Sequence, residues 1–195
     1  MAKKDSNTQL AWKKKKWYEL IAPELFARQS IGFSLLADPK SLLGKSVKVN
    51  LMNLTKNIKK QHINVTFKVT DIIENKGQTT PVLYEIVPSS IKRLVRSGRD
   101  RIDDSFLVKT QDEQYVRIKP LLITRSHEPA ALISEARRIA VTTLRESAKE
   151  ITYEQLFKQI VEGTMQKQLK DAVQKKVFLR TAEIRVVSLV QDKKK

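Results

Sequence analysis

The chain has no cysteine, and that absence removes a whole class of readings. Disulfides, thiolate-bound zinc and iron–sulfur clusters cannot form, and the composition suits a reducing cytoplasm. Histidine occurs only as His62 and His127, and neither has a second ligand at metal-binding spacing. The five glycines stand singly, so neither a GxGxxG turn nor a Walker loop can be written, and no GxSxG elbow occurs. Asp103 and Asp104 are adjacent on what reads as a solvated turn or strand edge. Their side chains then diverge and cannot share a catalytic proton. No apolar run approaches the roughly 20 residues needed to cross a bilayer. The opening "MAKKDSNTQL" lacks the apolar core of a secretory leader. No enzyme, metal or cofactor is expected.

What is present is positive charge. Against 21 acidic residues stand 38 lysines and arginines, a formal net charge of +17 on 195 residues. The hydrophobic share of 41% is enough to build a core, which separates the chain from wholly disordered basic proteins. Charge of one sign on this scale repels itself, and a polyanion relieves the repulsion. Nucleic acid is the first candidate, because cationic side chains gain affinity by releasing counterions from phosphates. An acidic membrane surface is the second. It lacks its usual mark, an arm helix with bulky apolar residues opposite lysines.

Patterning divides the chain into a basic arm (1–18), a single domain (19–190) and a basic tail (191–195). The stretch from Ala22 to Pro39 is punctuated by Pro23, Gly32 and Pro39 and reads as extended and irregular. Period-two alternation begins at Lys45. "KSVKVNL" sets Val47, Val49 and Leu51 on one side, and "INVTFKVT" does the same with Ile63, Val65, Phe67 and Val69. "PVLYEIV" reads as a third strand, with Pro81 at its start. "SSIKRLVRSG" has helical spacing and ends at Gly98. "SFLVKT" and "YVRIKPLLITR" form a hairpin through "QDEQ". The last third is helical: residues 127–150, then 153–162 between a Thr152–Gln155 capping box and Gly163, then 164–176. "RTAEIRVVSLV" returns as a strand. The prediction is an α+β fold in which a curled antiparallel sheet or small β-barrel is flanked by helices, with an extended N-terminal arm.

The candidate RNA-binding residues are distributed over this frame. The arm supplies Lys3, Lys4, Trp12, Lys13, Lys14, Lys15, Lys16, Trp17 and Tyr18, whose rings can stack on exposed bases while the lysines meet phosphates. A second reading stays open for Trp17 and Tyr18, that they pack where the arm joins the domain. Lys56, Lys59 and Lys60 lie in the loop "KNIKK". Lys92, Arg93, Arg96, Arg99 and Arg101 lie on the short helix and the turn after it, and Arg125 closes the long strand. Arg138, Arg145 and Lys149 recur on one face of the long helix. Arginine is the more telling residue, since its planar fork engages phosphates in pairs of hydrogen bonds.

Order and spacing over residues 12–190 resemble one family. "KKWYELIAPELF", "LLGKSVKVNLMNLT", "IKRLVRSGRDRID", "LVKTQDEQYVRIKPLLIT" and "ITYEQLFKQIVEG" through "FLRTAEIRVVSL" are similar to successive segments of the S3Ae (eS1) family of small-subunit ribosomal proteins, in its archaeal form. The chain departs from the family pattern at "RSGRDR", at "DEQ" and at "KKVF". The resemblance implies a structural protein of the ribosomal platform near the messenger RNA exit. Its partners would be small-subunit ribosomal RNA, neighbouring ribosomal proteins of the platform and messenger RNA near the exit site, with no membrane. Without the resemblance, the residues lead only to an RNA-binding α+β protein. A free RNA- or DNA-binding protein, such as a nucleic-acid chaperone, is the rival reading.

Overall fold

The computed structural model describes residues 15–190. In chain order the strands are β1 (Lys16–Ile21), β2 (Ser30–Leu36), β3 (Ser46–Asn50), β4 (Ile63–Ile73), β5 (Lys76–Ile86), β6 (Arg101–Asp103), β7 (Phe106–Lys109), β8 (Tyr115–Thr124) and β9 (Leu179–Val190). The helices are α1 (Leu51–Thr55), α2 (Pro88–Leu94), α3 (Ala130–Lys149), α4 (Tyr153–Glu162) and α5 (Thr164–Gln174). All nine strands join one sheet ordered β2-β1-β5-β9-β8-β6, with β4 beside β5, β3 beside β4 and β7 beside β8. The α+β class is as expected.

The expected closed or wholly antiparallel sheet is not what forms. One long strand explains the difference. β5 pairs with β4 along one side, while its other side is divided lengthwise: β1 lies parallel to Lys76–Gln78, and β9 lies antiparallel to Leu83–Glu85. Two strands sharing one flank makes the sheet branch, so its edges do not meet. The result is a mixed, open sheet. β6 and β7 both pair with β8, at Leu121–Ile123 and Tyr115–Ile118 respectively, and are separated by Asp104 and Ser105.

Residues 22–39 are not irregular throughout, since β2 (Ser30–Leu36) lies within them. Behind the lysine run, Tyr18 and Leu20 point inward while Trp17 points to solvent, and β1 pairs antiparallel with β2 from Lys16↔Leu36 to Ile21↔Ser30. Gly32 lies inside β2, Pro23 lies in the connection between β1 and β2, and Pro39 follows the hairpin, so punctuation hid the alternation. β1 therefore starts at Lys16, within the stretch read as the arm. Leu51 opens helix α1 and does not continue β3, because the Asn50 side chain accepts the Met52 N–H and caps a new helix. Pro81 stands within β5, opposite Phe67 at a bulge where a missing N–H costs nothing.

The main core lies between the sheet and the helices. Phe157 of α4 is fully buried and meets Phe26 and Tyr84 edge-on, an arrangement that adds about 0.5–1.5 kcal/mol per pair beyond area burial. α3 contributes Ala136, Ala140, Leu144 and Ala148, and α5 contributes Met165, Leu169 and Val173. Thr152 caps α4 by accepting the Gln155 N–H at 3.4 Å, and Gly163, at φ 90°, ends it. The β7–β8 turn is bound to this junction: Asp112 accepts the Tyr153 N–H at 3.0 Å, and the Gln111 N–H donates to the Ile151 carbonyl. A smaller cluster of Tyr18, Leu20, Leu42 and Val69 fastens β1 to the sheet.

Candidate nucleic-acid interface

Lys3, Lys4, Trp12, Lys13 and Lys14 lie outside the described residues, as does the tail. Lys15 and Lys16 are exposed. Strand alternation then decides the two open aromatic positions in opposite ways: Trp17 is 66% exposed and Tyr18 only 2%. The Tyr18 ring belongs to the smaller core cluster and is not presented to a base, which corrects its assignment to the RNA surface. Trp17 sits across from Leu35, and Phe33 lies two residues along on the same face, so an apolar patch follows the lysines on the outer hairpin.

The second basic group gathers where β8 ends and β9 begins. The Thr124 N–H donates to the Asp100 carbonyl at 3.0 Å, and the Arg125 N–H donates to the Phe178 carbonyl at 2.9 Å. This register brings Arg99, Arg125, Phe178 and Arg180 to one end of three strands. Asp100, the carboxylate nearest in sequence, is already committed. It accepts the Glu128 N–H at 2.8 Å and lies 2.8 Å from His127 Nδ1. The Glu128 N–H first, and His127 in addition, hold its carboxyl below the usual aspartate range. Arg99 is half-buried with its Nη1 sequestered and unpaired. That desolvation, then the charges of Arg180 and Arg96, pull it below the ordinary arginine value. Lys92, Arg93 and Arg96 are exposed on α2 and just after it.

Arg101 departs from this group. It pairs with Asp103, whose Oδ2 also takes Arg185 Nη1 at 2.9 Å, while Asp104 takes Arg137 Nε at 3.1 Å. The aspartate pair is thus no solvated turn. Each carboxylate fixes an arginine, and the Arg101 charge is compensated within the chain.

In the loop after α1, Lys56 and Lys59 are exposed, but Lys60 turns inward and donates from Nζ to the Val161 carbonyl at 2.8 Å. A cation there offsets the negative end of α4. Lys60, His62, Lys167, Lys170 and Arg180 line a groove of about 410 Å³ beside Glu183, whose carboxyl burial pushes up. Arg180 borders this groove and also acts on Arg99, so it links the two basic groups into one band. Arg138 and Arg145 line a separate shallow groove in which the Arg145 guanidinium lies 5.4 Å from the Phe106 ring centre, a cation–π contact that holds it against the sheet. Lys149 is exposed at the end of α3.

Lys167, Lys170, Phe178 and Arg180 escaped the sequence reading. A signal existed: in "KKVFLR" an aromatic stands among basic residues, as it does in the arm. Among the described residues no group of His, Asp and Glu could hold a metal, and no helix is long and apolar enough to cross a membrane.

A sheet end carrying uncompensated arginines, on a chain with this order of elements, agrees with the resemblance noted in the sequence. The model of the Ribosomal S3Ae family matches residues 3–193. The chain belongs to the Ribosomal S3Ae family. Small ribosomal subunit protein eS1 of Methanothrix thermoacetophila is 32% identical over 180 residues, covering 91% of this chain and 84% of that protein. The eS1 proteins of Haloarcula marismortui and Methanoculleus marisnigri are each 28% identical, over 175 and 180 residues, covering 90% and 92% of this chain and 82% and 91% of theirs. S3Ae proteins are structural ribosomal proteins and not enzymes, and these relatives are archaeal.

Proposed function

We propose that this S3Ae chain is a structural constituent of the small ribosomal subunit, bound to ribosomal RNA on the platform near the messenger RNA exit. One observation carries the reading. Arg96, Arg99, Arg125 and Arg180 have no carboxylate partner among the described residues, yet backbone hydrogen bonds gather Arg99, Arg125 and Arg180 at one sheet end, and Arg96 acts on Arg99 from the segment after α2. An uncompensated cationic surface on a fixed frame suits folded RNA, whose phosphates it can meet without reorganising. The exposed Trp17, Phe33 and Leu35 face, on a hairpin whose outer strand β2 has no further neighbour in the sheet, suits a neighbouring protein of the subunit. The lysines near the N-terminus add further positive charge to the chain, which favours the same polyanionic partner.

Gradient sedimentation of cell extract tests the reading. The chain should travel with the small subunit and stay there after a wash in high salt. A chain found at the top of the gradient, or one released by moderate salt onto any added duplex, would point to a free nucleic-acid binder instead.

A further inference from the structure

We infer that the junction of β6, β8 and β9 is a site for one unpaired nucleotide of RNA: Arg96, Arg99 and Arg180 close on its phosphate, and the Phe178 ring stacks on its base. This deepens the proposed function and rests on it.

The phosphate half follows from what the folded chain leaves unsatisfied. Arg99 is half-buried, its guanidinium has no carboxylate partner among the described residues, and its Nη1 lacks an acceptor within them. A guanidinium donor without a partner is costly to bury, and native structures leave such groups where something else supplies the acceptor. Arg180 and Arg96 lie close enough to disfavour the Arg99 charge, so the three cations repel one another in the free protein. Asp100 is taken by Glu128 and His127, and Asp103 by Arg101 and Arg185, so neither carboxylate answers them. An RNA phosphodiester, with one negative charge shared by two oxygens, supplies the counter-charge and acceptors the arginines lack, and arginine forks match phosphate geometry.

The base half follows from Phe178. Its ring is 66% exposed, while Val177 and Leu179 on either side are 1% and 5% exposed. The neighbours anchor the backbone, and the Phe178 carbonyl accepts the Arg125 N–H. The ring is therefore presented just before β9, by a residue whose backbone is tied to Arg125. Phe178 and Arg180 are two residues apart in an extended segment and both exposed, so their side chains share a face about 7 Å apart. That is the spacing between a base and its own or the adjoining phosphate. A regular duplex would satisfy the arginines and leave Phe178 in water, because its bases are stacked within the helix. An acidic peptide would pair the arginines but offer no flat ring surface. An unpaired nucleotide at a bulge or loop uses both features.

The test uses the full chain and two labelled RNA hairpins, one fully paired in its stem and one identical but carrying a bulged adenosine. Wild-type protein should bind the bulged hairpin about tenfold more tightly, the range expected for one base–aromatic stack. Phe178→Ala should abolish that preference while keeping affinity for the paired hairpin, and Phe178→Trp should restore it. Arg99→Gln should weaken both complexes and lower the slope of log Kd against log salt by about 1. Unchanged melting temperatures show that the variants are folded. A Phe178→Ala protein that keeps the wild-type preference, equal wild-type binding to both hairpins, or an unchanged salt slope in Arg99→Gln overturns the site. Wild-type protein that binds neither hairpin at low salt overturns the RNA-binding reading beneath it.

Discussion

Replacing Gly77 by alanine tests how β1, which follows the N-terminal lysine run in sequence, is fastened to the domain. A methyl group at this position would stand 2.9 Å from Leu20 Cδ2, 3.0 Å from Leu42 Cδ2 and 3.4 Å from Val69 Cγ1. The first two distances are shorter than ordinary carbon–carbon contact. All three neighbours are buried, at 2%, 0% and 2% exposure, so none can swing into solvent to make room. Overfilling a packed site of this kind costs about 1–3 kcal/mol. Against this, alanine reduces the freedom of the unfolded chain, a gain of about 0.4–1 kcal/mol where its backbone fits. The net expectation is a loss of about 1–2 kcal/mol, or roughly 2–8 °C in Tm for a chain of this size. Gly32→Ala is the control, since nothing lies within 4 Å of its added methyl. It should be neutral or slightly stabilising. Urea melts of the three proteins, followed by far-ultraviolet circular dichroism, measure the difference. A Gly77→Ala protein as stable as wild type, or more so, refutes the view that β1 is held by close packing over β5.

Other perturbations probe other parts of the account. Tyr153→Phe removes a hydroxyl that donates to the Pro81 carbonyl at 2.8 Å in a buried setting, and should cost about 1–2 kcal/mol in the same melts. Asp100 and Glu183 should respond to acid with opposite signs. The Asp100 carboxyl is held below its ordinary value of 3.8, so its contribution is present above that pH and fades as pH falls toward the native value; Asp100→Asn should flatten stability loss between pH 5 and pH 3, taken as about one unit either side of the free aspartate value. Burial raises Glu183 above its ordinary value of 4.5, so its cost to folding builds as pH rises from 4.5 toward the native value, and Glu183→Gln should raise Tm at pH 7 but not at pH 4, values of about neutrality and of the free carboxylate. Replacing Lys13 to Lys16 by alanine should leave Tm nearly unchanged while lowering the salt slope of RNA binding by about 3. A large fall in Tm would instead make the arm part of the fold.

The sequence was most legible where one periodicity ran without interruption. In β4, Ile63, Val65, Phe67 and Val69 are all buried as their alternation requires, and of the apolar positions spaced along one face of α3, Ala136, Ala140 and Leu144 are buried while Leu132 and Ile133 are half-buried. Legibility failed where local signals competed. Pro23, Gly32 and Pro39 masked the β1–β2 hairpin, and the Asn50 cap converted an apparent strand end into a helix. Parallel pairing of β1 with β5 depends on residues more than fifty positions apart, and no local pattern encodes it. The basic surface divided in the same way. Exposed Lys56, Lys59, Arg93 and Arg96 are where a linear reading puts them. Lys60, Arg101 and Arg145 are engaged by Val161, Asp103 and Phe106, contacts that only the fold creates. Arg180 was missed because its role comes from lying beside Arg99, some eighty residues earlier in the chain.

Ultraviolet crosslinking in cells, followed by sequencing of the attached RNA and mass spectrometry of the attached peptides, tests the central claim most directly. The account predicts crosslinks at a few discrete positions of small-subunit ribosomal RNA, with peptides around Arg96–Arg99 and Lys176–Arg180 among those carrying nucleotide. Crosslinks scattered over many transcripts, without enrichment on that RNA, would contradict it.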